Sequence, residues 1–487
     1  MGVIWCITLE STIYEVMNSM QIRSSIWESE NRDGILSEIT AEGPYYTSYP
    51  TLGLWDQNHG HGTYVEAMKD LFLGNGAKTP IELYIHIPFC AKLCWYCICN
   101  IKVSNNRQRI QQFVDYLLRE IDLLESFFEQ NSVDPNITEI HLGGGTPSHL
   151  DNKQMDQLVD KLSNIVDVKA LDEFAMEIDP RTTTRENLHY YSSLGVSRIS
   201  FGIQDFDARV QAAINRVQPP EMIDDLLPHN IRKEFDGINF DLLYGLPLQD
   251  RETFRNTVEL VKRFHPERVT LLKYAHIPDI RKHMKMIEEE DLPSNDQLPL
   301  MFVDAVESFV DYDYEWIGID NFAKKNDALG IAAQKRKIWR TFNGFTPGRT
   351  HNIIGLGPTT TVNFANYYFQ SVYDLVDYRS AIDMGEFPIH RGYILSQDEV
   401  IRRSVIFEIL CQQQVDFNHI DKIHQITSSD YFEYEIDCLK KEYLRDGKIT
   451  FENNIMSLTT VGRFLIRGIC RVFDKHHRNR DYKVLGP

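Results

Sequence analysis

The chain has 487 residues, of which 43% are hydrophobic and 25% charged, and a formal net charge of −19. That length supports two or three domains with a sizeable core, and the composition is that of a soluble globular protein. No apolar run approaches the roughly 20 residues that span a bilayer, and the acidity argues against nucleic acid or an anionic membrane as the main partner.

The first residues, M-G-V-I-W-C-I-T-L-E, lack a basic n-region and a small-residue cleavage site, so no signal peptide is expected. Residues 1 to about 40 carry no usable periodicity. Gly43 to Thr51, G-P-Y-Y-T-S-Y-P-T, reads as ordered extended chain. Ile81–Ile87 reads as a strand ended by Pro88, and from its end springs C-A-K-L-C-W-Y-C-I-C-N. Cys90, Cys94, Cys97 and Cys99 are half of the chain's eight cysteines. The spacing C-x-x-x-C-x-x-C is too tight for a pair of C-x-x-C zinc knuckles. It suits three corners of a cubane iron–sulfur cluster, which leaves one iron open to a ligand. The alternatives are a structural zinc loop or a group of inert thiols. Clustered thiols without a secretory signal imply a reducing, cytosolic setting. Cys6, Cys411, Cys438 and Cys470 are scattered and read as buried or incidental.

From residue 81 to about 275, short apolar runs alternate with amphipathic stretches. The predicted strands are Ile81–Ile87, Ile137–Leu142, Glu173–Ile178, Arg198–Phe201, Ile238–Leu243 and Val269–Lys273, with helices such as Arg109–Glu125 and Thr253–Phe264 between them. This alternation means a parallel sheet with crossover helices, and six units predict an open, three-quarter barrel. Chemistry in such folds sits at the carboxyl ends of the strands. There lie G-G-G-T-P (Gly143 to Pro147), Glu177, Gln204, Asp241 and K-Y-A-H-I-P, with Arg216 beyond the fourth strand. Three successive glycines let backbone approach a ligand closely. Taken singly, each polar residue reads as a cap or a turn; together they mark a site. Residues 300–380 begin with a helix and continue through Tyr314 to Ala323 and a glycine-rich turn, Ile353 to Thr361. Beyond 390, helices around Asp398–Gln412 and Tyr431–Arg445, a hairpin around Lys448–Leu458 and a helix over Thr460–Asp474 suggest a winged-helix-like accessory domain. No Lys or Arg run marks a recognition helix, so a lid or docking role is expected.

The cysteine spacing after a strand resembles that of the radical S-adenosylmethionine (SAM) enzymes. The longer string H-I-P-F-C-x-K-L-C-x-[FY]-C-x-C-N resembles one family among them, the oxygen-independent coproporphyrinogen III oxidases, and the likeness runs from about Gly43 to the last helix. It implies an α/β fold, a partial barrel with a mostly helical C-terminal accessory domain, divided as 1–75 (extension and covering segment), 76–385 (barrel) and 386–487 (substrate-covering domain). It implies one 4Fe–4S cluster on Cys90, Cys94 and Cys97, with Cys99 nearby but not a ligand, and two SAM molecules. The first would meet Tyr84, Gly144, Glu177 and Thr361. The second would meet Tyr96, Gly145, Thr146, Gln204, Arg216, Asp241 and Ala275. Tyr84, Glu177, Arg216 and Cys99 are the candidate catalytic residues. Asp241 would hold the ammonium of the second SAM and Arg216 its carboxylate, the alternative being that the two merely pair as a salt bridge.

The implied activity is oxidative decarboxylation of two propionates to vinyl groups in haem biosynthesis. The implied enzyme is a cytoplasmic monomer served by a reductant such as flavodoxin or ferredoxin. The chain departs from the family pattern at Tyr45 (family Arg), Tyr96 (Phe), Ile98 (Gly), Asn321 (His) and Thr361 (aliphatic), all in segments close to cofactor or substrate. A second reading is a paralogue whose second SAM donates a methyl or methylene group, in a methyltransferase or a cyclopropane-forming enzyme. A third, a non-enzymatic haem or cluster carrier, is disfavoured by the nearly intact SAM-contacting set.

Overall fold

The computed structural model describes residues 32–39, 43–74, 78–348 and 351–477. Six parallel strands follow the alternation seen in the sequence: β1 (Ile81–Ile87), β2 (Ile137–Gly144), β3 (Glu173–Ile178), β4 (Arg198–Gln204), β5 (Gly237–Tyr244) and β6 (Arg268–Lys273). Six shorter strands extend them: β7 (Tyr314–Ile317), β8 (Asn321–Lys324), β9 (Asn352–Leu356), β10 (Thr361–Phe364), β11 (Tyr367–Ser371) and β12 (Ile389–Ile394). They form one twelve-stranded sheet in the order β12-β11-β10-β9-β1-β2-β3-β4-β5-β6-β8-β7. From β9 to β6 the pairing is parallel, and beyond either end it is antiparallel.

The six-stranded expectation is therefore too small. The added strands are four to six residues long, and runs that short carry little period. Tyr314 to Ala323 forms a hairpin turning at Gly318, whose φ is +56°. β12 lies beyond residue 386 in sequence and completes the main sheet by pairing with β11.

Side-chain alternation along each strand separates core from site. On β5, Phe240, Leu242 and Tyr244 are buried, and Tyr244 packs on Phe254 and Phe302 of the outer helices Arg251–Phe264 and Gln297–Val310. Asn239 and Asp241 occupy the opposite face, toward the barrel interior. The longest helix, α1 (Arg107–Gln130), starts where Asn106 accepts a bond from the Arg109 amide at 3.1 Å. It buries Ile110, Val114, Leu117, Ile121, Leu124 and Phe128, a stripe at three- and four-residue spacing.

The C-terminal part carries helices at Gln397–Gln412, Phe417–His424 and Glu433–Leu439 around a three-stranded sheet of Gln414–Asp416, Ile449–Glu452 and Ile455–Leu458. The expected helix over Tyr431–Arg445 is broken at Phe432 and ends in a wide turn, Lys440–Leu444. The expected Thr460–Asp474 helix breaks at Leu465, whose backbone leaves the helical range (φ −102°, ψ 12°). A short helix, Arg32–Ile39, lies where no periodicity was expected; with two buried residues, Ile35 and Leu36, it has no repeat to detect. Among the described residues, no helix is long and apolar enough to cross a membrane.

Glu120 of α1 is buried, and its Oε2 accepts bonds from the Gly357 amide (2.7 Å) and the Tyr378 hydroxyl (2.6 Å). It ties the glycine-rich turn after β9 to the barrel. Burial pushes its carboxyl up from 4.5 to about 7, against the pull of both donors. A raised carboxyl pKa stabilises the fold fully below pH 4.5, and that contribution is lost as pH rises through about 7. Glu120→Gln keeps the acceptor and removes the charge. Its urea midpoint should match wild type at pH 4.5 and exceed it at pH 8, where the penalty reaches about 3 kcal/mol. Equal midpoints at pH 8 would refute the assignment.

Candidate active site

Beyond β1 the chain turns into the cysteine loop. Cys90 and Cys94 are buried, Cys97 is half-buried and Cys99 is exposed. The loop is pinned on the segment after β4: the Trp95 amide donates to the Ile214 carbonyl (3.1 Å), and Asn215 Nδ2 donates to the Leu93 carbonyl (2.8 Å). Tyr96 and Ile98 pack against a small cluster that includes Val210 and Ile214. Donors surround the sulfurs. Thr146 Oγ1 lies 3.3 Å from Cys90 Sγ, and Arg181 Nη2 and Arg216 Nη1 each lie 3.5 Å from Cys94 Sγ. Burial pushes the Cys90 thiol up to about 12, whereas the bond from Cys99 draws the Cys97 thiol down to about 7.

The glycine run at the end of β2 allows close approach. A Cβ on Gly145 would stand 2.8 Å from the Pro88 carbonyl carbon at the root of the cysteine loop, and one on Gly144 would stand 2.5 Å from the His86 ring. Gly144 also has φ +109°, a backbone state that disfavours other residues. A Cβ on Gly143 would meet Glu177 Oε1 at 2.8 Å and the Tyr84 ring at 2.9 Å. Glu177 accepts a bond from the Gly144 amide (3.2 Å) and faces His141 at 3.6 Å. Tyr84, Gly144, Glu177 and the root of the cysteine loop are thus one contiguous patch.

Gln204 ends β4 at a bulge, with φ +66°. Its side chain and that of Arg216 both lie over Gly202, where a Cβ would stand 2.8 Å from Gln204 Nε2 and 3.0 Å from Arg216 Nη2. Arg216 also donates to the Gly202 carbonyl (3.0 Å) and sits 3.8 Å from Asp179. It does not pair with Asp241. Asp241 is held instead by Ser200 (2.9 Å) and Asn239 (2.7 Å) on the inward face, and burial, with the Glu177 charge, raises its carboxyl pKa. The salt-bridge alternative for these two residues is therefore absent. Ala275 lies in the loop leaving β6, between Tyr274 and His276, whose side chains bond at 2.8 Å. Thr361 opens β10, two strands from β1.

The sequence reading missed Asp179 and Arg181, whose ion pair (2.7 Å) braces the guanidinium beside Cys94, and His86, which bonds the Asn100 carbonyl at 3.1 Å across the cysteine loop. Their only signal was position: both charged residues fall just past the end of β3. Among the described residues, no three His, Cys, Asp or Glu side chains stand close enough to grip a single metal ion. A cubane cluster sets its ligands farther apart than one metal does, and three thiols with cationic and hydroxyl donors behind two of them are the donor set it needs.

The Radical SAM superfamily profile matches residues 84–261. The oxygen-independent coproporphyrinogen III oxidase of Helicobacter pylori (strain J99) is 34% identical over 448 residues, which is 91% of this chain and 96% of that protein. The chain belongs to the oxygen-independent coproporphyrinogen III oxidase family. The Escherichia coli (strain K12) member is 32% identical over 446 residues, 92% of this chain and 95% of its own. The solved structure of coproporphyrinogen III oxidase from Escherichia coli, described as a radical SAM enzyme, superposes with a TM-score of 0.83, covering 89% of this chain and 97% of that one. Membership makes this chain a radical SAM oxidoreductase with a 4Fe–4S cluster and SAM as cofactors, and it bears out the expected fold class. The methyl-donor and carrier readings are not favoured.

Proposed function

We propose that the chain oxidatively decarboxylates two propionate side chains of coproporphyrinogen III, giving protoporphyrinogen IX. Each propionate loses a β-hydrogen and CO2 to become a vinyl group, and an external acceptor takes the leftover electron. The observation that carries this reading is that the likeness extends over barrel, N-terminal segment and C-terminal part alike, far beyond a cysteine motif.

Cys90, Cys94 and Cys97 would hold the cluster, and with SAM bound it supplies one-electron reduction and hydrogen abstraction. Arg181 and Arg216 set guanidinium nitrogens beside the Cys94 sulfur, where they would balance the negative charge of a bound cluster. Glu177, steadied by the Gly144 amide, offers a carboxylate that suits the ammonium of a first SAM. Gln204 and Arg216 form the polar wall of a second SAM site, with Asp241 deeper in the barrel. Residues 43–50 and 395–477 would serve as a cover: Tyr46 Oη donates to Asp474 (3.2 Å), and the Lys475 amide donates to Tyr49 Oη (3.2 Å). The reading includes a cytosolic monomer, a small reductant protein such as flavodoxin or ferredoxin, and no nucleic-acid or membrane partner.

Anaerobic incubation of the reconstituted protein with coproporphyrinogen III, SAM and a reductant tests this. The expected products are CO2, vinyl groups and 5′-deoxyadenosine. S-adenosylhomocysteine without CO2 would mean methyl transfer and would defeat the proposal.

A further inference from the structure

Four arginines are buried among the described residues: Arg198, Arg216, Arg340 and Arg402. Three have obvious partners. Arg198 pairs with Glu173 and Asp327, Arg402 with Asp398 and Glu435, and Arg216 with the Gly202 carbonyl and Asp179. Arg340, 7% exposed, is different. Its Nε is fully buried with no acceptor, and its guanidinium bonds no carboxylate or carbonyl among the described residues. Its Cζ lies over the ring of Phe345, 4.5 Å from the ring centre. An unpaired buried cation costs several kcal/mol, so a fold that keeps one has a use for it.

Arg340 stands in a hairpin, Trp339–Thr341 paired with Gly344–Thr346. The tip of that hairpin reaches the inward face of β1, where Asn343 Nδ2 donates to Glu82 Oε1 at 2.8 Å, on the same face as Tyr84. Phe345 presses against Gly318, where no Cβ could fit. Across from Arg340 lies Asp320, also buried; its Oδ1 accepts from Asn321 (2.7 Å) while its Oδ2 has no partner. The two charges act on each other without an ion pair between them. Tyr45 completes the group, feeling Arg340, Asp320 and Arg467. Arg467 lies 4.3 Å over the Tyr45 ring and donates to the Gly43 and Pro44 carbonyls, fixing that segment in place. Tyr45 and Asn321, where the family pattern carries Arg and His, thus border the same two unsatisfied groups.

We propose that Arg340 is the anchor for a propionate carboxylate of the substrate, with Tyr45 and Asp320 as the other walls of that subsite. This rests on the decarboxylase reading. A planar guanidinium with free donors takes a carboxylate in two parallel bonds, and with Arg and His replaced at its borders it is the cation left to do so. A porphyrinogen brings carboxylates for Arg340 and pyrrole N–H donors for the free oxygen of Asp320.

The test titrates full-length protein with coproporphyrin III, the stable oxidised form, and with its tetramethyl ester, which has no free carboxylate. Arg340→Gln should weaken coproporphyrin III binding about tenfold to a hundredfold and leave the ester unaffected. In turnover the loss should fall on KM more than on kcat, a split that a merely structural role would not produce. Arg340→Lys should restore only part of the affinity, since an ammonium lacks the fork. A folded Arg340→Gln protein that binds the acid as tightly as wild type would overturn the subsite alone. So would equal losses for acid and ester. Wild type that binds neither porphyrin nor releases CO2 would remove the decarboxylase reading and the subsite with it.

Discussion

Replacing Cys94 with Ala is expected to abolish iron binding and SAM cleavage together while the barrel stays folded. The Cys94 sulfur is buried and has guanidinium nitrogens of Arg181 and Arg216 3.5 Å away. Of the three expected cluster thiols only Cys90 and Cys97 would remain, and Cys99 is bonded to Cys97. The two arginines do not depend on that sulfur for their positions: Arg181 keeps Asp179 at 2.7 Å and Arg216 keeps the Gly202 carbonyl at 3.0 Å. The far-ultraviolet dichroism and the urea midpoint of the variant should therefore be near those of wild type. Iron content after anaerobic reconstitution, and 5′-deoxyadenosine formed with dithionite, should both fall to background. A Cys94→Ala protein that makes 5′-deoxyadenosine at the wild-type rate would show that the ligand set was wrongly chosen. Cys99→Ser is the paired control, and loss of iron there would point to the same error.

The largest effect on stability is expected at Asp327, far from the cysteine loop. Its side chain is 2% exposed and accepts from Arg198 Nη2 (3.0 Å), Arg268 Nε (2.8 Å) and the Leu329 amide (2.8 Å), the last capping the helix Ala328–Gln334. Asp327→Ala would leave two largely buried guanidiniums short of an anion and a helix without its cap. Removing one partner of a buried ion pair costs about 3–5 kcal/mol and losing an N-cap about 1 kcal/mol. Glu173 remains within 3.0 Å of Arg198 and 3.3 Å of Arg268, so the total should lie near the lower end, about 3 kcal/mol. Urea unfolding should register it, with Asp327→Asn intermediate because it keeps an acceptor for the cap. Coincident curves for Asp327→Ala and wild type would mean that Glu173 alone carries both arginines.

The central strands were legible because each is an apolar run of six to eight residues between amphipathic helices. The flanking strands were not, since four- to six-residue pieces owe their conformation to the sheet edge they join. The cysteine loop and the glycine run were legible as chemistry, because few other functions need those residues at that spacing. Relations between strand ends were harder to read. Arg216 and Asp241 could both be assigned to the rim, yet one leans over Gly202 toward Cys94 while the other faces inward beside Ser200 and Asn239. Depth within a barrel depends on strand stagger, which a linear pattern does not carry. Arg340 was invisible for the same reason: a lone arginine between a tryptophan and a threonine reads as a surface cation until the hairpin is folded inward.

The bonds that join Tyr46 to Asp474 and Tyr49 to Lys475 span 428 and 426 positions of the chain. A contact of that range can form only when residues 46 to 475 have all left the ribosome, and it closes a very long loop. Loop-closure entropy grows only slowly with length, so the difficulty is one of order and not of cost. The strand that leads into the cysteine loop, Ile81–Ile87, is made long before Asp474 and Lys475, so this clasp forms after it. A deletion that reaches either side of the clasp would therefore open the same seam, and losing residues 474–475 should mimic losing residues 46–49.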